Sequence, residues 1–137
     1  MEMEIEISLR GHPPPRGVKK NQTYGWRMAL ADASAKYYGK VDFIEGYSVR
    51  MVFYIMRPKV HISKDGGIRA NAPTLPLSFP DLPPLAAITL EAVARAIGFE
   101  KRWCVKLEAT KQFVGHRNLQ GVDIFGEVIC ESKNLVL

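Results

Sequence analysis

The sequence predicts a single α+β domain over residues 1–137, with a mixed sheet of about four strands and two helices. The length suits one ordinary domain. Strand-like and helix-like periodicities alternate along the chain in the order β-α-β, long loop, α-β-β, which is typical of a mixed sheet with packed helices. Hydrophobic residues make up 47% of the chain and charged residues 24%, so one core can form and a disordered chain is disfavoured.

The first predicted elements are a strand, a loop and a helix. Apolar and polar residues alternate over residues 3–9, which predicts a half-buried strand. The proline-rich segment 11–17 predicts an extended loop, because proline fixes φ and lacks a backbone donor. Alanine content and helical spacing of apolar residues predict a helix over Tyr24–Tyr38, with Gly39 as its stop.

A second strand and a long loop occupy the middle of the chain. Residues Tyr47–Met56 are apolar on both alternating faces, which predicts a central strand covered on both sides. The next segment, Arg57–Pro80, is rich in proline, glycine and basic residues and has little periodicity. A loop of this length within one domain is typically functional or mobile.

The last elements are a helix and two strands. An apolar stripe predicts a helix over Leu82–Ile97, and Asp81 is a good N-cap residue for it. Pro83-Pro84 falls in the first turn, where missing N–H groups cost little. Two more strands are predicted, Cys104–Gln112 and Val122–Cys130.

Charge and hydropathy narrow the class of protein. The net charge of +5 and the isoelectric point of about 9.3 permit a polyanionic partner such as nucleic acid without requiring one. The acidic amino terminus lacks the features of a signal peptide, and no apolar stretch is long enough to span a bilayer. We therefore expect a cytoplasmic protein with no membrane association.

Several short motifs together resemble a known family. Arg57-Pro58-Lys59 is followed by His61, then by Ala72-Pro73, and then by Pro80-Asp81-Leu82 at the start of a helix. In order and spacing these segments resemble a subgroup of RusA-like Holliday-junction resolvases, and segment 11–17 resembles the first loop of that family. The likeness runs to about residue 115. It implies a RusA-like fold in a degenerate member of phage or prophage type, acting inside a bacterial host cell.

The resemblance also exposes missing catalytic groups. Relatives cut four-way DNA junctions as homodimers and use Mg²⁺ for the hydrolysis. The Mg²⁺ ion needs oxygen ligands such as carboxylates. Asp81 matches the first family carboxylate, but the second position is Pro83, which has no ligand atom. An assisting basic residue is replaced by Ala87, and the acidic turn aligns with Lys101 and Arg102. We therefore expect Asp81 to be insufficient as a catalytic residue, with no metal site, no cofactor and no metal-dependent cutting.

The expectation of DNA binding rests on loop charge, because the resemblance implies that two basic loops flank the cleft of the family fold. Basic loops suit phosphate contacts, which give sequence-independent affinity. We expect a DNA-binding homodimer, related to proteins of DNA recombination and repair, that takes branched or duplex DNA. His61 is expected to act as a hydrogen-bonding loop residue rather than a metal ligand. The candidate DNA-binding residues are Arg16, Lys19, Lys20, Lys59, His61, Lys64, Arg69, Lys101 and Arg102.

Other hypotheses remain open from the sequence. Carboxylates at Glu91 or Glu100 could rebuild a magnesium site, which would make the chain an active Mg²⁺-dependent junction endonuclease. A catalytically dead relative could instead serve as an interaction module for a host protein. The chain could also be an unrelated α+β domain with a proline-rich loop. Trp26 and Trp103 could stack on exposed bases, although core packing is the simpler role.

Overall fold

The computed structural model describes residues 2–14, 20–40, 44–77 and 80–129. Within these residues the chain forms four strands and two α-helices, joined by short 3-10 turns. The predicted α+β class, with a mixed four-stranded sheet and two helices, is confirmed. In chain order the elements are β1 (Glu2–Arg10), α1 (Lys20–Ser34), β2 (Gly46–Met56), α2 (Leu82–Ile97), β3 (Cys104–Val114) and β4 (Gly121–Ile129).

The strand order in the sheet is β1-β4-β2-β3. Strand β4 pairs antiparallel with both β1 and β2, whereas β2 and β3 are parallel. Strands β1, β2 and β3 therefore run in the same direction. Their carboxyl ends lie together with the start of β4, and we call this edge the carboxyl end of the sheet.

Both helices pack on one face of the sheet, the inner face. Met51 and Phe53 of β2 and Leu30 of α1 are fully buried there. The two helices are joined by a buried hydrogen bond in which Trp26 Nε1 donates to Thr89 Oγ1 over 3.1 Å. Trp26 is thus a core residue with its polar atom satisfied, which is the simpler of its two expected roles.

Strand β2 is central, as predicted, but the expectation that it is covered on both sides is wrong. Its inner face is buried, while the outer face, which includes Arg50 and Tyr54, is exposed or half-buried. No element of the described part of the chain covers that outer face. A side chain of the neighbouring strand β4 contacts this face: the Arg50 guanidinium lies 4.5 Å from the centroid of the Phe125 ring.

Helix α1 begins four residues before its predicted start. It spans Lys20–Ser34 and continues as a 3-10 turn over Ala35–Tyr37, with Gly39 at φ +72° as the expected stop. The first turn lacks an apolar stripe, so periodicity could not reveal it. Among the described residues, no helix is both long and apolar enough to cross a membrane.

Candidate nucleic-acid interface

A cavity of about 460 Å³ opens at the carboxyl end of the sheet. Its walls come from the first loop, from the ends of β2 and β3, from the loop after β2 and from the turn before β4. Pro80, directly before α2, completes the wall. The cavity therefore gathers segments that are far apart in sequence.

The polar side of the cavity is basic. His12, Arg57, Lys59 and Arg117 line it, and none of the described residues that line it is acidic. Lys59 and Arg117 are exposed, and neither takes part in an ion pair with another described residue. Uncompensated cations that converge on one concavity suit an anionic ligand such as a phosphate group.

Arg57 is held in place by its surroundings. Its Nη1 donates to the Pro73 carbonyl over 2.8 Å and lies 3.4 Å from His61 Nδ1. The guanidinium also lies 4.2 Å from the centroid of the Phe113 ring, and the His61 ring meets that ring edge-on at 5.6 Å. Arg57 thus ties the long loop to the end of β3, so its charge is fixed at the cavity.

The other side of the cavity is apolar. Ile55, Met56 and Phe113 are half-buried, and Pro13 and Pro80 are buried. Lys111 Nζ donates to the Pro80 carbonyl over 2.9 Å, which fixes the chain just before α2. The cavity therefore pairs an apolar wall with a basic rim.

Asp81 lies at this same end, next to Pro80. It occupies the N-cap position of α2, as predicted, but its side chain makes no capping hydrogen bond. A capping carboxylate accepts from the N–H of the second or third helical residue. Those positions are Pro83 and Pro84, which have no N–H, so the sequence itself rules out the side-chain cap.

The remaining loop residues fall near the cavity or beyond it. Lys64 lies exposed in a turn of the long loop, and Arg69 Nε donates to the Ile62 carbonyl over 3.3 Å. Arg16 and Lys19 lie outside the described residues, as does the side chain of Lys20. Of the nine candidate DNA-binding residues, Lys59 lines the cavity and His61 braces one of its walls.

Lys101 and Arg102 are not brought to this site. They follow the carboxyl-terminal end of α2, whose 16 residues span about 24 Å from the end near Asp81. Lys101 Nζ pairs with Glu91 at 3.4 Å, and Arg102 pairs with Glu100. The chain positions that match the family's first carboxylate and its acidic turn therefore lie at opposite ends of α2.

The donor set does not fit a magnesium ion. The described residues contain no group of three or more His, Cys, Asp or Glu side chains that could hold a metal. Within one chain the family positions supply the Asp81 carboxylate beside Pro83, with Lys101 and Arg102 at the other end of α2. A magnesium ion prefers several oxygen ligands in an octahedral arrangement, which Asp81 alone does not supply.

Sequence reasoning missed His12, Arg57 and Arg117 as site residues. Each lies within three residues of the end of β1, β2 or β3, respectively. Ligands of open sheets commonly bind beyond the carboxyl ends of the strands. That rule could have selected these residues once β1, β2 and β3 were known to run in the same direction, which the sequence did not reveal.

A polar network borders this region on the outer face. Asp123 Oδ1 accepts from Ser8 Oγ over 2.7 Å and from Arg10 Nη2 over 2.9 Å, and Oδ2 accepts from Tyr54 Oη over 2.9 Å. Burial opposes ionisation of Asp123, but these hydrogen bonds outweigh it and hold the pKa of Asp123 below its usual value. Burial, and then the Asp123 carboxylate, raise the pKa of Tyr54. The network links three strands and neutralises Arg10.

Comparisons with known proteins add little. No protein-family model matches the chain, and no curated protein matches it. Among solved structures, 2C-methyl-D-erythritol 2,4-cyclodiphosphate synthase from Plasmodium vivax aligns over 96% of this chain and 97% of that chain. The two sequences are 10% identical and the TM-score is 0.29, so this likeness carries no argument. The resemblance to RusA-like resolvases stays a prediction.

Proposed function

We propose that this chain is a RusA-like DNA-binding protein that holds branched or duplex DNA by its phosphodiester backbone. The proposal includes the absence of metal-dependent nuclease activity. The observation that carries the proposal is the basic rim of the cavity. His12, Arg57, Lys59 and Arg117 converge there from separate segments, and no described lining residue is acidic.

The chemistry of this rim suits a phosphodiester chain. Lys and Arg contacts to phosphate position nucleic acid without reading its sequence and release counterions on binding. Lys64 and Arg69 are exposed on the same long loop and add to its positive charge.

The non-cutting part of the proposal depends on Asp81. Metal-dependent hydrolysis of a phosphodiester needs a metal that activates water and neutralises developing charge. Asp81 is exposed at the start of α2, and the matching family positions within the chain provide no second carboxylate beside it. One exposed carboxylate is a poor basis for a divalent-metal site, because such an ion needs several oxygen ligands.

Binding of a labelled four-way junction and of a matched duplex, each at about 50 and about 200 mM salt, tests the proposal. We expect both DNAs to bind, with affinity that falls steeply with salt. The same samples in an analytical ultracentrifuge test the homodimer that the resemblance implies. Absence of DNA binding at the lower salt concentration would contradict the proposal.

A second candidate function, a junction endonuclease with a rearranged site, is favoured by one observation. The Asp81 carboxylate makes no capping bond, and Asp81 directly follows Pro80, which lines the cavity. Incubation of junction DNA with the protein and Mg²⁺ or Mn²⁺ tests this candidate. If the protein cuts the junction and Asp81→Asn does not, the endonuclease candidate replaces the non-cutting proposal. If junctions stay intact with both metals, the non-cutting proposal is supported.

A further inference from the structure

The cavity at the carboxyl end of the sheet has more apolar lining than phosphate binding needs. We infer that it takes up one unpaired nucleotide of the bound DNA, with the base against the apolar wall and its phosphate at Lys59 and Arg117. The inference rests on the proposed DNA binding and names the part of the DNA that this cavity recognises.

The apolar wall is the first argument. Ile55, Met56 and Phe113 present partly exposed apolar surface into a cavity whose rim is cationic. A phosphate gains nothing from such surface, because a charged group loses hydration next to it. A nucleobase has apolar faces that gain from burial and from contact with an aromatic ring. The two linings together match a base joined to a phosphate.

The size of the cavity is the second argument. Its volume of about 460 Å³ lies within the range of roughly 300–1,000 Å³ that is usual for small-ligand sites. Bases within a duplex are stacked and paired and cannot enter a pocket of this kind. A base that is already unpaired enters at a lower cost, which is one source of selectivity among proteins that bind displaced bases.

The arrangement of the cations is the third argument. Arg57 is fixed by the Pro73 carbonyl and by the Phe113 ring, so its guanidinium keeps one position in the basic rim. Lys59 and Arg117 are exposed on either side, on the long loop and on the turn before β4. Flexible exposed cations suit a phosphate whose position varies, whereas a fixed planar guanidinium suits a bound base.

The test compares three otherwise identical DNA duplexes with the full-length protein. One is fully paired, one carries a single unpaired 2-aminopurine nucleotide, and one carries an abasic residue at that place. We expect the unpaired base to improve affinity about tenfold over the abasic duplex, as expected for one stacked base. The fluorescence of 2-aminopurine should change on binding.

Two variants of one wall residue locate the effect. Met56→Ala removes apolar volume without changing charge. It should bring the ratio of the affinities for the unpaired-base duplex and the abasic duplex close to one. Affinity for the fully paired duplex is measured alongside as the reference for binding through the DNA backbone. Met56→Leu keeps the apolar volume and should keep the preference, which controls for a general disturbance of β2.

The outcomes separate this inference from the proposed function. Equal, salt-sensitive binding of all three duplexes would overturn the inference and leave the proposed function standing. No binding to any of them would overturn both. A preference that persists in Met56→Ala would place the base elsewhere and overturn the inference. A competition experiment adds a further outcome. If a phosphoserine peptide displaces the unpaired-base duplex as effectively as an unlabelled copy of that duplex, the cavity recognises phosphate alone and the inference is overturned.

Discussion

The Arg57 guanidinium lies 4.2 Å from the centroid of the Phe113 ring. Arg57 directly follows β2, and Phe113 is the penultimate residue of β3. The contact joins the carboxyl ends of two parallel strands and orders the loop that starts at Arg57. One arginine therefore supports both the fold of the loop and the basic rim of the cavity.

Replacing Arg57 should loosen the loop more than the sheet. Arg57→Lys keeps the charge but loses the bond from Nη1 to the Pro73 carbonyl and the planar stack on Phe113. We expect a loss of about 1 to 2 kcal/mol in the free energy of unfolding. Limited proteolysis should cut within residues 58–77 faster than in the unchanged protein. Lys59→Arg, as a control, should leave the cutting rate unchanged, and equal rates for Arg57→Lys would contradict the role assigned to Arg57.

Removing charge from the cavity should weaken DNA binding, whereas removing charge from the far end of α2 should not. Lys59→Gln and Arg117→Gln should each reduce duplex affinity and lower the slope of log affinity against log salt by about one. Lys101→Gln, which is matched in charge, should change neither quantity, because Lys101 pairs with Glu91 at the opposite end of the sheet. Fluorescence anisotropy over a salt series measures both quantities. A larger effect at Lys101 than at Lys59 would show that DNA binds at the other end.

The stability that Asp123 provides should depend on pH. Its folded pKa lies below the usual value of 3.8, so its contribution is present above about pH 4 and is lost as the pH falls through the lowered pKa. At pH 7, Asp123→Asn should lose about 1 to 3 kcal/mol, because three donors lose a charged acceptor. Urea unfolding of both proteins between pH 7 and pH 2 checks this. The gap between them should narrow below pH 4, and a gap that widens in acid would refute the sign.

Gly121 should not tolerate a side chain. Its φ is +146°, and a Cβ atom there would lie 2.0 Å from the Leu9 carbonyl oxygen. Gly121→Ala should therefore disrupt the pairing of β1 with β4 and cost about 3 kcal/mol or more. Gly115→Ala meets no atom within 4 Å and serves as the matched control. Thermal unfolding measures both variants, and equal midpoints would refute the strain at Gly121.

The sequence alone predicted the elements well because their signals are local. Alternation over residues 3–9 and the apolar stripe over Leu82–Ile97 reflect which side chains face the core, and each pattern lies within one element. The structure confirms that helix with the same bounds. The failed side-chain cap at Asp81 was also visible in the sequence, because Pro83 and Pro84 remove the donors.

Only the tertiary structure decided where the candidate site lies. Gathering His12, Arg57 and Arg117 depends on strand order and direction, which arise from pairings between residues far apart in sequence. The same topology separates Lys101 from Asp81 by the length of α2, although both match catalytic positions of the family that the sequence resembles. Periodicity records which face of an element is buried, but it carries no information about which elements become neighbours. That is settled when the helices and strands pack into a single core.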